Sequence, residues 1–359
     1  MTFTLNDEQR MLKEAARDFF REQAPVSRLR KLRDAKKNGR DPELWREMSA
    51  LGFAGVIVPE EFGGAGLGYV ALGAVLEEAG RTLVASPLHS SACAGASALM
   101  LAGTDAQKEE WLPKIASGEA IAALAVDESA HHAPGKSKLK ASGGKISGEK
   151  RYVADGHIAD VFIVSDQEGA LYLVKGDTKG LTRRELVTAD SRGAADLTFD
   201  NVAAEPMNGG LEALEQILDR ARIGLAAEML GQASEAFEIT AEYLKTRRQF
   251  GQVIGGFQTL QHRAAKLFTE LELTRSCVWA ALDALDRNAG DIAEHASLAK
   301  ARAAETLHLA SNEMVQLHGG IGMTDEHDAG FYLKRARVAE ALYGGASFHR
   351  DRYAGMLGF

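Results

Sequence analysis

The hydrophobic period of the chain changes twice, and this change restricts the folds that the chain can adopt. Apolar residues recur at helical spacing over residues 1–118 and again from about residue 209 to the end. Between these regions, residues 119–208 carry short apolar or alternating runs separated by Gly, Asp and Ser. We therefore predict a mostly α chain with a β middle domain: a helical domain over 1–118, a small antiparallel β domain over 119–208 and a C-terminal four-helix bundle over 209–359.

Local patterns give the individual elements. Asn6 followed by Gln9 predicts a capping pair at the start of the first helix. Strands are predicted at 121–126, 136–141, 145–153, 161–164, 171–174 and 195–200, and the later bundle helices at 258–288, 291–316 and 328–342.

Composition excludes several classes of protein. The formal net charge of −8 argues against a nucleic-acid binder, which needs a basic surface. The sequence contains no run of about 18 apolar residues, so no membrane span is predicted. The first residues also lack the pattern of a signal peptide. Cys93 and Cys277 fall in apolar helical stretches, where we expect core thiols in a reducing compartment, the cytoplasm.

The strongest motif follows the first helix of the predicted bundle. Arg247, Arg248 and Phe250 stand within the sequence TRRQFGQ. Guanidinium groups suit phosphate oxygens because they donate two hydrogen bonds at once, and the phenylalanine could cover an adenine or a flavin. Read alone, the same residues fit an ordinary helix C-terminus in which arginine stabilises the helix dipole.

A second motif is the glycine-rich sequence QLHGGIGMTDEH at 316–327. Glycines allow a backbone to approach a ligand closely and to present N–H groups to phosphates. The motif does not follow a strand, so it is not a Rossmann fingerprint.

His131 and His132 are adjacent to each other in the predicted β domain, but no third ligand stands at a suitable spacing. We therefore expect no metal site there, and we expect both imidazoles to point into solvent.

Together with VPEEFGG at 58–64 and GEKRYV at 148–153, these motifs resemble the acyl-CoA dehydrogenase flavoprotein family over essentially the whole chain. The resemblance implies a helical, β-barrel, helical fold and a tetramer built from dimers, with FAD at a subunit interface. It implies α,β-desaturation of an acyl-CoA substrate and an electron-transferring flavoprotein or similar acceptor. It also implies that the adenosine-diphosphate part of a neighbouring subunit's FAD is contacted by Arg247, Gln249, Phe250, Gln258, Gln316, Gly319 and Gly320.

The other half of the family's site differs in this chain. The usual base lies in a Tyr-Glu-Gly-Thr motif, which is Tyr343-Gly344-Gly345-Ala346 here, and the rarer base position is Ala221. Neither Gly nor Ala can take a proton, and a general base contributes about 10²–10⁴-fold to rate. The flavin-side loop at 127–135 lacks the family's Ala-Gly-Ser-Asp, and a flavin-contacting threonine is Ala154. The catalytic residue is therefore left unassigned.

Three functions remain open. The first is a subunit that supplies an FAD half-site to a base-carrying partner in a mixed tetramer. The second is a homo-oligomeric dehydrogenase with a relocated base, such as Glu340, which a continuous helix would place one turn before Gly344. The third is a flavin monooxygenase-like enzyme or a non-catalytic scaffold of the same fold. Because the altered positions lie on the flavin and acyl side, we favour the first. Further candidates for the base are Glu228, Glu313, Glu326, His349 and Asp351.

Overall fold

The computed structural model describes residues 4–359. Contacts divide these residues into two compact units. The bundle unit comprises the described residues up to Arg28, Gly73–Val84 and Leu225–Phe359, and the sheet unit comprises Leu29–Leu72 and Ala85–Gly224. The boundaries at residues 118 and 208 stay a prediction, since the two units follow contacts rather than chain order.

Helices dominate the first part of the chain, as predicted. The capping box of Asn6 and Gln9 is present: each side chain accepts a hydrogen bond from the backbone N–H of the other residue. Helix α2 lies in the region predicted to be helical; most of its residues are charged, and Leu29 and Leu32 are buried. The helices are α1 (Asp7–Gln23), α2 (Val26–Asp34), α3 (Pro42–Ala50), α4 (Gly68–Arg81), a π-helical segment (Leu88–Gly95) that continues into α5 (Ala96–Ala102), and α6 (Asp105–Ala116).

The middle of the chain forms two four-stranded sheets. One has the order β1-β4-β5-β8 and the other the order β2-β3-β7-β6. The pairing is antiparallel except between β1 and β4, which are parallel. The strands are β1 (Ala122–Ala125), β2 (Lys140–Ser142), β3 (Lys145–Ala154), β4 (Val161–Ser165), β5 (Leu171–Lys175), β6 (Leu181–Val187), β7 (Gly193–Ala203) and β8 (Glu205–Pro206).

One apolar core joins the strands of both sheets, and it includes Phe162, Val164, Leu197 and Phe199. One strand was predicted with the wrong bounds, and one strand was missed. The alternation at 136–141 becomes a strand only from Lys140, because residues 134–136 form a 3₁₀ turn that begins at Pro134. Strand β6 escaped prediction because none of its residues is buried, so it carries no apolar stripe.

The C-terminal part contains the four helices predicted for the bundle, and a further one after them. Helix α11 has the sequence ASFHRDRYAGM, which is too polar to show a helical period. It packs on α9 through His349 and Arg352, which both approach Ser297. No helix among residues 4–359 is both long and apolar enough to cross a membrane. The helices are α7 (Leu211–Thr246), α8 (Gln258–Asp286), α9 (Ile292–His318), α10 (Ala329–Ala341) and α11 (Ala346–Met356).

Candidate active site

A strained hairpin presents the arginine motif at the end of α7. Strands β9 (Arg248–Gln249) and β10 (Gln252–Val253) pair, and Phe250 and Gly251 form the turn between them with φ of +53° and +79°. Two-residue hairpin turns favour positive φ at both positions, which glycine adopts readily and phenylalanine does not. The Phe250 side chain is 90% exposed. The hairpin therefore holds a large aromatic ring in solvent despite an unfavourable backbone conformation.

A small core beneath the hairpin joins the two sequence motifs. Leu244, Ile254 and Leu317 are buried together, and Tyr243 and Phe257 pack against them. The Tyr243 hydroxyl donates to the carbonyl of His318 at 3.5 Å, which links the end of α7 to the end of α9. The motifs at 247–258 and 316–320 thus pack on the same small core.

The glycine turn after α9 borders open space at Gly319 and Gly320. Gly319 has φ of +64°, and a Cβ built at Gly319 or Gly320 would meet nothing within 4 Å. At Gly322, by contrast, a Cβ would lie 2.7 Å from the carbonyl oxygen of Val315. The conformation of Gly319 and the packing of Gly322 therefore require glycine, while the open front of the turn leaves room for a ligand.

All seven residues predicted to contact the cofactor are exposed on the bundle unit, where these two motifs meet. Their roles as cofactor contacts stay a prediction. The residues are Arg247, Gln249, Phe250, Gln258, Gln316, Gly319 and Gly320.

The position of the missing carboxylate is sterically closed. Helix α10 ends at Ala341, Leu342 is extended, and Tyr343 and Gly344 have φ of +57° and +103°. A Cβ on Gly344 would lie 2.5 Å from Cδ1 of Phe348 and 3.1 Å from Nε2 of His349. No side chain fits there unless its neighbours move.

Buried polar groups hold this turn. Lys300 is buried, and its Nζ donates to the carbonyls of Ala339 at 3.1 Å, Glu340 at 3.2 Å and Gly344 at 2.9 Å. His349 is also buried, with its Nε2 3.1 Å from the carbonyl of Tyr343. Since a carbonyl only accepts, Nε2 of His349 must carry a proton and cannot take another. His349 is therefore a support of the turn and not a free base.

The structure removes the premise for Glu340 as a relocated base. The chain leaves the helix after Ala341, so the helical spacing from Glu340 to Gly344 does not apply. The carboxylate of Glu340 accepts from Nη1 of Arg337 at 2.9 Å and lies 3.2 Å from Nδ1 of His308. These groups line an open groove of about 430 Å³ on the bundle unit. Glu340 is thus held in surface ion pairs.

Two of the other carboxylate candidates for the base are also paired. Glu228 is buried and bound by Arg335, with Nη2 at 3.0 Å. Glu313 receives two hydrogen bonds from Arg263, at 2.7 and 3.0 Å. Both carboxylates therefore serve ion pairs of the bundle.

A buried polar chain fastens the altered loop at 127–135 to α7 within the sheet unit. Nδ1 of His132 lies 2.9 Å from Asp127, and its Nε2 lies 3.1 Å from Nη2 of Arg222. A guanidinium only donates, so Nε2 of His132 accepts and its Nδ1–H donates to Asp127. Arg222 is buried and also donates to Asp219 at 2.8 Å and Glu215 at 3.0 Å.

This arrangement corrects the expectation that both histidines point into solvent. His131 is exposed, but the side chain of His132 is only 3% exposed. The sequence gives no sign of it, because Arg222 lies far along the chain from His132.

Lys150 on β3 also binds this loop, through Glu128, and the sequence did not single it out. Its buried Nζ donates to the carbonyl of Val126 at 2.9 Å, to Ser137 Oγ at 2.9 Å and to Glu128 Oε1 at 3.1 Å. Burial lowers the pKa of Lys150, and the charge of Glu128 opposes this effect. Burial raises the pKa of Glu128, but hydrogen bonds from Ser137 and Lys138 and the charge of Lys150 outweigh it, so that pKa is below its ordinary value.

A β-bulge exposes Tyr152 beside this loop. The register of β3 with β7 shifts between Lys150 and Val153, and Tyr152 has φ of +54° and a half-exposed side chain. Its backbone N–H donates to Asp196 Oδ1 at 3.1 Å, which fixes the bulge. Bulges re-aim side chains near functional sites. Ala154, where the family has a threonine, pairs with Ala194 just beyond the bulge.

Comparison with known proteins decides the family. Sequence models of the acyl-CoA dehydrogenase N-terminal and C-terminal domains match residues 6–119 and 208–356. "Acyl-CoA dehydrogenase IpdE2" of Mycobacterium tuberculosis is 33% identical over 343 residues, which cover 94% of this chain and 93% of that protein. The chain belongs to the acyl-CoA dehydrogenase family. It is thus a member of an oxidoreductase family, with the helical, β and helical architecture that the sequence predicts.

Two further similar proteins align with almost the whole chain. The IpdE2 protein of Mycolicibacterium smegmatis is 31% identical over 344 residues, or 95% of this chain and 96% of that protein. The solved structure of the "Tcur3481-Tcur3483 steroid ACAD" superimposes with a TM-score of 0.91 at 35% identity, and covers 99% of this chain and 98% of that one. Among residues 4–359, no group of three or more His, Cys, Asp or Glu side chains is arranged to hold a metal ion.

Proposed function

We propose that this chain is the subunit of an acyl-CoA dehydrogenase that supplies an FAD half-site to a partner chain carrying the catalytic base. One contrast supports this proposal. The exposed hairpin and glycine turn form an open, cationic and aromatic surface on the bundle unit, whereas a side chain at the position of the usual base would clash with Phe348. The chain therefore retains the groups that reach toward a cofactor and lacks the group that removes a proton.

The exposed residues suit the adenosine-diphosphate part of FAD. Arg247 is the donor for the pyrophosphate oxygens, because a guanidinium binds two oxygens at once. The open turn at Gly319 and Gly320 lets a backbone approach phosphate closely. Phe250 offers its ring face to the adenine. The amides of Gln249, Gln258 and Gln316 serve the hydroxyl groups and the adenine edge.

The α-proton of the acyl thioester goes to the partner chain in this proposal. When bound, FAD supplies the hydride acceptor for α,β-desaturation, so this chain's task is to bind and orient the cofactor. A positioned base contributes about 10²–10⁴-fold, which water does not replace. Glu340, Glu228 and Glu313 are held in ion pairs, and His349 supports the turn. The electron acceptor of the assembly would be an electron-transferring flavoprotein or a similar protein.

The comparisons support a mixed assembly and a substrate class. The steroid acyl-CoA dehydrogenase at 35% identity carries two joined designations, Tcur3481 and Tcur3483, as expected of an enzyme built from two chains. We extend this organisation to the present chain and propose the coenzyme A thioester of a steroid-derived acid as substrate.

Copurification tests the proposal. The tagged chain, isolated from its native host, should bring down a second acyl-CoA dehydrogenase chain that has a carboxylate in its own Tyr-Glu-Gly-Thr motif. Arg247→Ala should lower the flavin absorbance of that complex, because the pyrophosphate loses its bidentate donor. Lys245→Ala is the matched control, since Lys245 is an exposed cation in the last turn of α7, two residues before Arg247, and pairs with the nearby Glu242. A stable homo-oligomer with FAD in every subunit and ordinary dehydrogenase activity would refute the proposal.

A further inference from the structure

Three stacked rings lie beneath the exposed motifs of the bundle unit. The ring of His318 lies 4.3 Å from that of Tyr243, centroid to centroid, and 4.2 Å from that of His327, with interplanar angles of 32° and 45°. His318 is buried, and its Nδ1 donates to the carbonyl of Met314 at 2.7 Å. The stack is thus anchored at its centre by a fixed imidazole.

Each residue of the stack is connected to a different part of the surface above it. The backbone N–H of Arg247 donates to the carbonyl of Tyr243 at 2.9 Å, so Tyr243 carries the start of the hairpin. His318 directly precedes Gly319 of the glycine turn. Nδ1 of His327 accepts from the backbone N–H of Ala329 at 3.0 Å, at the start of α10. The stack therefore joins the hairpin, the turn and the helix that follows.

The hydrogen bonds fix which nitrogen of each imidazole carries a proton. His318 carries its proton on Nδ1 because it donates to a carbonyl, and His327 carries its proton on Nε2 because its Nδ1 accepts. With both rings protonated, two like charges would face each other about 4 Å apart. The core beneath offers no compensation, because the side chains of Leu244, Ile254 and Leu317 are apolar.

The surroundings of His318 oppose a charge on it. Burial is the largest effect and lowers the pKa of His318; the hydrogen bond to Met314 opposes it, and the charge of His327 lowers the pKa further. The Tyr243 hydroxyl faces the His318 carbonyl from α7. Asp325 and Glu326 precede His327 in the chain and are exposed.

We propose that the Tyr243–His318–His327 stack is a proton-sensitive support, which holds the hairpin and the glycine turn together while the His318 imidazole is uncharged and loosens when His318 is protonated. The further expectation that this loosening weakens dinucleotide binding rests on the function proposed above. The coupling between the rings and the turn does not depend on that function.

Hydrogen exchange of the full chain tests the coupling. Protection factors of the amides at 319–323 should fall about tenfold between about pH 8 and about pH 5, with the midpoint at which the His318 ring titrates by NMR. In His318→Phe, which keeps a ring but cannot be protonated, the pH dependence should disappear. His262→Gln, at an exposed histidine of α8, should leave it as in the wild type.

Each outcome decides between the two proposals. The proposed support is refuted if amide protection in the turn does not follow the His318 titration. It is also refuted if the His318→Phe variant retains the full pH response. If His318→Phe does not fold, the coincidence of the two wild-type midpoints is still the test. A turn that loosens as expected, in a chain that takes up FAD with no partner, supports the stack and refutes the half-site instead. In the holo-complex, acidification should speed FAD release about tenfold more in the wild type than in His318→Phe.

Discussion

The carbonyl oxygen of Gly344 lies 2.9 Å from the buried ammonium group of Lys300. The family's usual base would stand at Gly344, and here the backbone itself is bound from within the bundle. Lys300 also holds the two carbonyls of Ala339 and Glu340 at the end of α10. The absence of a carboxylate therefore goes with a turn that is packed and hydrogen-bonded without one.

Restoring the acid at this position should not restore the reaction. Gly344→Glu places a side chain at φ of +103° and within 2.5 Å of Phe348, so we expect a loss of about 1–3 kcal/mol in the free energy of unfolding. Urea unfolding measures the loss, and bleaching of bound flavin by acyl-CoA measures the chemistry. Gly345→Glu is the control, because Gly345 has φ of −80° and its Cβ would meet only the Glu340 carbonyl oxygen at 3.8 Å. A Gly344→Glu chain of normal stability that bleaches flavin would contradict the structure.

Lys300→Met should destabilise the chain by about 2–4 kcal/mol, because three buried carbonyls lose a charged donor. Lys266→Met, at an exposed lysine of α8, should change stability by less than about 0.5 kcal/mol. Chemical denaturation of both variants gives the comparison. Equal stabilities would mean that Lys300 is dispensable to the turn.

Removing Arg222 should be costlier than removing either histidine of the 127–135 loop. Arg222→Met leaves Asp219 without its buried cation and should cost about 3–5 kcal/mol. His132→Gln should cost about 1–2 kcal/mol, since it breaks the link from Asp127 to Arg222. His131→Gln, at the exposed neighbour, should be neutral. Thermal unfolding of the three variants checks this order, and a His131 effect equal to that of His132 would speak against the buried link.

The acid limb of the stability profile should depend on Glu128. Its folded pKa is below the ordinary value of 4.5, so below that value the unfolded state binds the proton first. The stabilisation from Glu128 is therefore complete above the ordinary value and is lost as the pH falls through the lower folded one. The free energy of unfolding, measured against pH, should fall less steeply on this limb in Glu128→Gln than in the wild type. Parallel curves would exclude the role of Glu128.

Phe250 should show opposite effects on stability and on binding. Phe250→Gly relieves a positive φ and should stabilise the isolated chain by about 0.5–1 kcal/mol. The same change removes the exposed ring, and FAD should bind about tenfold more weakly in the complex. Calorimetry of the chain and flavin titration of the complex measure the two effects. A variant with unchanged FAD affinity would remove Phe250 from the proposed half-site.

The sequence predicts the elements that bury a regular apolar face. Helices α7 to α10 were found because their apolar period is long, and β4 and β5 because short apolar runs stand between turn residues. Strand β6 and helix α11 were missed because neither shows such a face. Exposure and polarity are set by where an element packs, which the local sequence does not contain.

The same limit applies to the candidate site: its local sequence patterns could be predicted, and its long-range contacts could not. The glycine and arginine motifs are local patterns, so their residues could be named from the sequence. Arg222 lies far along the chain from His132, as Gly344 does from Lys300, so neither contact has a local signature. The helical spacing expected from Glu340 to Gly344 does not hold, because the helix ends at Ala341 and Tyr343, a non-glycine residue, takes a positive φ. Long-range ion pairs and strained backbone require the fold itself.

The packing around Gly344 also bears on how such a chain can evolve. With Phe348 and His349 filling the space beside its backbone, a single codon change to an acidic residue no longer yields a working base. Several neighbours would have to change together, and the intermediates would be unstable. If the proposed function holds, a chain with this packing depends on a proton acceptor in another subunit, because restoring its own requires several coordinated changes.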